Sequence, residues 1–281
     1  MKINRLLLIA IVAVLSFVVL AACNPAVTGD VEPTAEPTAT PDPLLSMDPV
    51  DRALLLYDRW ANFEINSYEC LLTLGTKIST DGETTFRTTQ SDVVVFNHNK
   101  SGYVEHIDTE LYVGDDMVMA QESGYADGFK FIKSDTAAFK TPISAEQYVQ
   151  ETQGFRLMEI LRPTKEKCSK ISSEPNGEGN WKVYFDGYSS EICQMVFEEL
   201  LGEIVSYDED TMGSLEVVYV LTLSGQGYPV AEHLAIGTNR EDEREDFVDA
   251  LRRVLYRTVN RVEEAPEIDL SQYEEVTEIQ D

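Results

Sequence analysis

The chain has 281 residues, of which 50 are acidic and 22 are Lys or Arg, so its formal net charge at pH 7 is −28. Charge of this sign repels phosphate groups at long range, and no cluster of basic residues interrupts it, which argues against nucleic acid as a partner. An excess of acidic residues is typical of a domain that has to stay soluble.

The first 22 residues have the parts of an export signal. Lys2 and Arg5 form a basic segment, residues 6–20 are uncharged and apolar, and two alanines follow. The apolar run is too short to cross a bilayer, which takes about 20 apolar helical residues. We therefore predict that residues 1–22 are a secretory signal.

The signal ends in a motif that involves lipid. The sequence Leu20-Ala21-Ala22-Cys23 resembles the lipobox of bacterial lipoproteins, which implies that Cys23 receives a diacylglyceryl group and becomes the mature N-terminus. An ordinary signal peptide with an incidental cysteine is the alternative. Because two or more acyl chains anchor a protein durably, we expect the chain to be held at the cell membrane by a lipid anchor, facing outside the cytoplasm. The membrane leaflet is left open.

A segment rich in Pro and Thr follows the cysteine. Residues 24–45 have no apolar periodicity, and their prolines favour an extended conformation about 70 Å long at most. Residues 23–45 are therefore predicted to form the lipidated cysteine and its stalk. The remaining residues, 46–281, contain no second linker and are long enough for one large domain with its own core.

The folded part is expected to start with a helix and to continue with strands. Asp48 and Pro49 form a typical helix start, and apolar residues then recur at three- and four-residue steps, which predicts a helix over 49–63. Ser67 starts a series of runs rich in β-forming residues separated by turn signals. These runs predict an antiparallel meander over the segments from Ser67, 84–96, 101–107, 110–113, 116–121 and 125–133.

The second half mixes both kinds of element. Ser144 and Gln147 have capping-box spacing, so a helix is expected over 145–161 unless Gly154 breaks it. An apolar stripe predicts another helix over 190–201. The remaining patterns predict strands over 165–173 and 180–186, a hairpin of 215–224 and 229–238, and a final strand over 249–262.

This layout resembles that of bacterial envelope lipoproteins with the LolA/LppX-like fold. The matching patterns are Phe139-Lys140-Thr141-Pro142-Ile143-Ser144, Leu221-Thr222-Leu223 with Gly227-Tyr228-Pro229-Val230, and Tyr256-Arg257-Thr258-Val259-Asn260-Arg261-Val262. The resemblance implies an α+β fold: a large curved antiparallel sheet, or open half-barrel, with a few amphipathic helices on its concave side.

The residue types needed for catalysis are not grouped in recognisable motifs. None of the three histidines stands at metal-ligand spacing from a cysteine or carboxylate, and there is no nucleophile elbow, phosphate loop or Cys-x-x-Cys pair. We therefore predict no catalytic residue, no metal site and no cofactor, and we expect the protein not to be an enzyme.

Three cysteines remain in the domain. Cys168 and Cys193 flank a segment expected to fold back on itself, so a disulfide between them would stabilise the fold by about 3–4 kcal/mol in the chain-entropy model. Cys70 lies in an expected strand, where it can pack as a small apolar residue. Three buried free thiols are the alternative.

The expected function is binding or transport of a lipid or other hydrophobic molecule. A curved sheet has more concave apolar area than three short helices cover, and the remainder can form an apolar cavity. The alternative is an interaction or structural module of the cell envelope with a filled core, no small ligand and a protein partner that the sequence does not identify. The residues expected to line a cavity lie on the helix faces: Tyr57, Trp60, Tyr148, Phe155, Val196 and Phe197.

The lipid anchor is directly testable. Replacing Cys23 with Ala should abolish incorporation of labelled fatty acid, because no other residue offers a thiol at the cleavage site. Metabolic labelling followed by electrophoresis measures this, with Cys70→Ala as the control that should keep its label. Unchanged labelling of Cys23→Ala would contradict the assignment.

Overall fold

A computed structural model describes residues 42–80, 83–98, 102–152, 155–201, 215–238 and 247–277. The predicted signal, Cys23 and most of the stalk lie outside these residues. The described chain begins at Asp42, which caps a short 3-10 helix, Pro43–Ser46. Leu44 in this helix is buried in the core, so the folded region reaches into the last residues assigned to the stalk.

The strands form a single open sheet. In the described residues its spatial order is β12-β6-β5-β4-β3-β2-β1-β11-β10-β9-β8-β7, and every pairing is antiparallel except that of β12 with β6. The two outer strands do not pair with each other, so the fold is α+β with an open half-barrel, as predicted. The strands are β1 Ser67–Thr80, β2 Glu83–His98, β3 Gly102–Val113, β4 Asp116–Ala126, β5 Phe129–Ser134, β6 Ala138–Pro142, β7 Cys168–Pro175, β8 Asn180–Tyr188, β9 Leu215–Ser224, β10 Pro229–Thr238, β11 Phe247–Val259 and β12 Glu274–Glu275.

Four α-helices are described, and all of them pack on one face of this sheet. On that face the side chains of Phe185, Tyr219 and Leu234 stand opposite each other on adjacent strands. We refer to it as the concave face. No described helix is long and apolar enough to cross a membrane. The helices are α1 Pro49–Ala61, α2 Ala145–Thr152, α3 Phe155–Ile160 and α4 Ser190–Leu201.

The predicted helix starts hold, and the first helix ends at Ala61 rather than at 63. The Asp48 carboxylate accepts hydrogen bonds from the first backbone amides of α1, and Pro49 occupies its first turn, as its sequence predicts. The helix expected over 145–161 corresponds to α2 and α3. Residues 153–154, which include the Gly154 considered as a possible break, lie outside the described residues.

Two cores lie on the concave face and a third on the opposite, convex face. The first joins α1, α3 and α4 to β8, β9, β10 and β11. The second places α2 over β1–β4 and β11. In the third, Leu270 and Tyr273 of the C-terminal segment cover Phe131 of β5. The sheet is therefore covered by helices on one side and by the C-terminal segment on part of the other.

A buried arginine joins the first helix to the sheet. Arg52 donates hydrogen bonds from Nε to Ser173 Oγ at 2.8 Å and from Nη1 to the Leu44 carbonyl at 2.9 Å. Its guanidinium also lies 4.4 Å from the ring centroid of Trp181. Because a buried cation needs such partners, this residue fixes α1 and the N-terminal turn against β7 and β8.

The strand predictions differ from the structure mainly at ends and at weak patterns. Segments 101–107 and 110–113 are one strand, β3, and the strands β6 and β12 were missed. The final strand stops at Val259 rather than at 262, because Asn260 has φ 55° and leaves the extended conformation. Its Oδ1 accepts a hydrogen bond from the Asn66 amide at 2.7 Å, which stabilises this end.

Gly124 in β4 allows the backbone of Glu105 in β3 to approach closely, and a substitution at Gly124 tests this geometry. Its φ is +149°, and a Cβ there would lie 2.0 Å from the Glu105 carbonyl oxygen. We expect Gly124→Ala to destabilise the fold by about 3 kcal/mol, in the range for overpacked sites. Denaturant unfolding measures the change. Gly75→Ala is the control, because a Cβ there meets nothing within 4 Å, and equal losses in both variants would contradict this geometry.

Candidate functional site

The side chains predicted to line a ligand cavity are mostly core residues. Val196 is fully buried, Phe197 is 4% exposed and Tyr57 is 6% exposed, all in the first core. Tyr57 packs edge-on against Phe185 with ring centroids 5.6 Å apart. The space that a ligand would need beside these residues is thus occupied by other side chains of the protein.

The other three candidates are placed differently. Trp60 is partly buried at the border of the first core, with its ring centroid 5.3 Å from that of Tyr57. Tyr148 of α2 is 2% exposed and belongs to the second core. Phe155 is the first residue of α3, but its side chain lies outside the described part of the structure. The structure therefore does not bring the candidates together around one cavity among the residues that it describes.

The second core contains a polar network that the sequence did not predict. Glu105 of β3 is 7% exposed and accepts a 2.5 Å hydrogen bond from the Tyr103 hydroxyl. Burial raises the pKa of Glu105, and hydrogen bonds from Tyr103 and Tyr148 lower it by less. The Tyr125 ring lies 5.1 Å from that of Tyr148. This network holds α2 on the sheet through a hydrogen bond to a buried carboxyl group.

A second buried carboxylate lies on the same face. Glu232 of β10 is 4% exposed and accepts a 2.6 Å hydrogen bond from the Tyr256 hydroxyl. The nearest Arg252 nitrogen is 3.7 Å from its other oxygen. Burial, followed by the charge of Glu232, raises the pKa of Tyr256 well above its ordinary value, so this phenol stays protonated and acts as a donor.

Both carboxylates could have been noticed in the sequence. Glu105 alternates with Tyr103 and Ile107 along an apolar strand, and Glu232 precedes Leu234 and Ile236 in the same way. A charged residue at an inward position of such a strand is expected to have a partner. The pattern places Tyr103 beside Glu105, but it does not reveal the hydrogen bonds from Tyr148, 43 residues from Glu105, and from Tyr256, 24 residues from Glu232.

The three described cysteines are free and buried. Burial raises the pKa of the Cys70 thiol to about 12, and it also raises the pKa of Cys168 and of Cys193. Protonated, buried thiols are poor nucleophiles and poor metal ligands. Cys168 and Cys193 share the first core, where the structure has them unpaired; the disulfide between them stays a prediction.

Among the clefts of the described residues are two that contain no predicted lining residue. One, of about 150 Å³, lies at the end of β11 and includes Tyr256, Arg257 and Arg261. The other, of about 330 Å³, is open to solvent and lies across β3, β4 and β5. The first is below the usual size of a small-molecule site, and the second is at its lower limit.

The larger cleft is acidic, and we call it the acidic cleft. It is lined by Asp108, Thr109, Glu110, Ala120, Gln121, Glu122, Lys133, Ser134 and Asp135. Lys133 Nζ lies 3.1 Å from Glu122, and His106 Nε2 lies 3.2 Å from it. Burial alone would raise the pKa of Glu122, but hydrogen bonds from Lys133 and His106 lower it overall. The cleft therefore keeps an excess of negative charge, which suits a cationic group.

Comparison with known proteins does not assign the chain to a family. No protein-family model and no curated protein sequence matches it. Two solved structures are weakly similar. A beta-barrel-like protein of domain of unknown function DUF1849 from Brucella abortus has 8% identity and a TM-score of 0.20, over 69% of this chain and 100% of its own. A porin-like protein from Bacteroides uniformis has 12% identity and a TM-score of 0.23, over 70% and 98%. Both are too weak to indicate a function, and the LolA/LppX-like assignment stays a prediction.

The buried state of Glu105 predicts a pH dependence of stability. Its carboxyl titrates near pH 4.3 in an unfolded chain and at higher pH in the fold. Its stabilising contribution is therefore fully present below about pH 4.3 and is lost as the pH rises through the folded pKa. Glu105→Gln should remove this part of the dependence, measured by urea unfolding between about pH 4 and 8.

A pair of tyrosine variants provides the control. Tyr103→Phe deletes a hydrogen bond that lowers the pKa of Glu105, so the loss of stability should extend to higher pH. Tyr112→Phe deletes a similar 2.6 Å hydrogen bond to Glu110 at a less buried site and should leave the pH profile unchanged. Identical profiles for wild type and Glu105→Gln would show that Glu105 does not titrate in this way.

Proposed function

We propose that this protein is a lipid-anchored, extracytoplasmic interaction module and not an enzyme. The N-terminal basic segment, the apolar run and the Leu20-Ala21-Ala22-Cys23 motif support export and anchoring. The single observation that favours an interaction module over a lipid carrier is the packing of the predicted ligand-lining residues. Tyr57, Tyr148, Val196 and Phe197 are each at most 6% exposed, within cores that their own neighbours fill.

The second core strengthens this preference. A helix that opens to admit an acyl chain is expected to be held by apolar contacts, so that its opening breaks few hydrogen bonds. Opening α2 would instead separate Tyr148 from Glu105 and remove one of the hydrogen bonds that this buried carboxyl group accepts, while that from Tyr103 of the sheet remains. A typical hydrogen bond contributes about 0.5–1.5 kcal/mol. The helix is thus better suited to keeping the concave face closed than to acting as a lid.

Binding of a lipid or other hydrophobic ligand is the alternative to the interaction-module function. Burial of an acyl chain yields about 0.8 kcal/mol per methylene, so a suitable cavity would bind lipid tightly. The two clefts described above have volumes of about 150 and 330 Å³, and most of the residues that line the larger one are polar. We infer that neither takes up an acyl chain.

The choice between the two functions can be decided with the full chain. We expect organic-solvent extracts, which leave covalently attached acyl chains on the protein, to contain no stoichiometric lipid by mass spectrometry. Titration with a fluorescent fatty acid should show no saturable uptake beyond that of the denatured chain, which serves as the control for adsorption. Recovery of one lipid per protein, or saturable binding, would favour the hydrophobic-ligand function instead.

A further inference from the structure

One inner strand of the sheet has an uncovered edge along its N-terminal part. In β4, the pairing with β5 begins at Gln121, opposite Ser134, and extends to Ala126. Residues 116–120 are paired with β3 on one side, and within the described ranges no strand lies on their other side. We call residues 116–120 the open edge. The backbone groups on the free side of such an edge can pair with another chain.

The side chains of the open edge are apolar and exposed. Met117 and Val118 are each 56% exposed and Met119 is 40% exposed. The neighbouring Val113 and Phe86 are 40% and 54% exposed. The Gly114 amide donates a hydrogen bond to the Phe86 carbonyl at 3.0 Å, so Phe86 lies next to the turn between β3 and β4. Exposed apolar residues that cluster in this way indicate a contact surface.

The open edge also contains no Lys or Pro that would protect it against strand pairing. Natural edges are protected by Lys, by Pro or by a covering segment, whereas the sequence here is Asp-Met-Val-Met-Ala. A register shift between Leu111 and Tyr112 leaves Val118 as an extra residue in the ladder, which is the one protective feature. Methionine side chains adapt to partners of different shape.

The acidic cleft adjoins this edge directly. Ala120 is the last residue of the open edge and also lines the cleft, together with Gln121 and Ser134 at the point where β5 pairing starts. Four carboxylates and a single lysine line the cleft. A strand lying along the open edge would therefore place one of its side chains at a negatively charged cleft.

We propose that the open edge binds an extended peptide segment of a partner protein by β-strand addition, and that this segment alternates apolar with Lys or Arg residues. Backbone hydrogen bonds to residues 116–120 would supply affinity, as in other sheets that accept a strand. The register shift places Met119 opposite Leu111 and Met117 opposite Tyr112, on different faces of the sheet. The apolar side chains of the peptide would contact Met119, and a basic side chain on its other face would enter the acidic cleft. This inference rests on the proposed function as an interaction module, and it names the surface and the partner chemistry.

Charge decides between this partner and a second copy of the chain. Each copy has a net charge of −28. Antiparallel pairing of two open edges would bring Asp116 of one copy towards Glu122 of the other, in addition to the repulsion between the whole molecules. The chain's own segment over 24–41 is equally unsuited, because it contains acidic residues and several prolines, which cannot donate to a ladder.

The proposal can be tested on the full chain with synthetic peptides. The probe is a nine-residue peptide of alternating valine and lysine, and its counterpart has glutamate in place of lysine. A third peptide carries the valine–lysine sequence with alternate backbone amides N-methylated, which blocks strand pairing and keeps the charge. We expect the first peptide to bind at least tenfold more tightly than either of the others, as measured by calorimetry.

Two matched variants locate the site. Val118→Lys places a cation on the open edge and should weaken binding of the first peptide at least tenfold. Leu251→Lys places the same cation at a 43% exposed position of β11, a strand that is paired on both sides, and should leave binding unchanged. Amide hydrogen exchange should show peptide-dependent protection at residues 116–120.

Each outcome bears on one hypothesis. Equal binding of the N-methylated peptide, or equal losses in both variants, would overturn strand addition at this edge. Dimers that dissociate in Val118→Lys, seen by analytical ultracentrifugation, would assign the open edge to a second copy instead. If the peptides do not bind while the chain takes up no fatty acid and keeps its anchor, the open-edge proposal fails and the interaction-module function stands. Saturable fatty-acid uptake would count against that function.

Discussion

The pairing of the first strand with the last long strand is the interaction on which the rest of the fold depends. β1 and β11 run antiparallel from Tyr68 opposite Val259 to Ser79 opposite Phe247. Strands β2–β6 lie on one side of this pair and β7–β10 on the other. Without it the chain would contain two separate meanders, each with an additional exposed edge. Because this pairing joins segments far apart in sequence, its formation costs loop-closure entropy, and its backbone hydrogen bonds join the two meanders into one sheet.

A sheet of this width has two faces to cover, and the chain covers them unequally. The helices α1, α3 and α4 cover the concave face over β8–β11, and α2 covers part of it over β1–β4. The convex face is covered over β5 by residues around Leu270 and Tyr273. The strands also differ in length: β4 has 11 residues and β5 only 6. A mismatch between neighbouring strands necessarily leaves part of the longer one without a partner, and this is the origin of the open edge.

Local patterns predicted much of this architecture, and contacts between distant residues account for what they missed. The alternation in β9 and β10 and the cap at Asp48 can be read from neighbouring residues, because the period and the capping chemistry are local. Strand β6 contains Pro142 and is only partly buried, so its pattern is weak, and β12 is set by parallel pairing with it. The same limit applies to the candidate site. The apolar stripe of α4 shows that Val196 and Phe197 face inward, but not whether a cavity or another side chain meets them.

The polar groups inside the second core link the fold to the way in which the protein can recognise a partner. Glu105 and Glu232 are buried and accept hydrogen bonds from tyrosine hydroxyls, and a buried polar network of this kind specifies a single arrangement of its helix and strands. A concave face fixed in this way has little freedom to open around a variable apolar molecule. For the proposed interaction module, recognition is then left to the open edge, where unpaired backbone groups, exposed methionines and carboxylates meet and no reorganisation of the core is required.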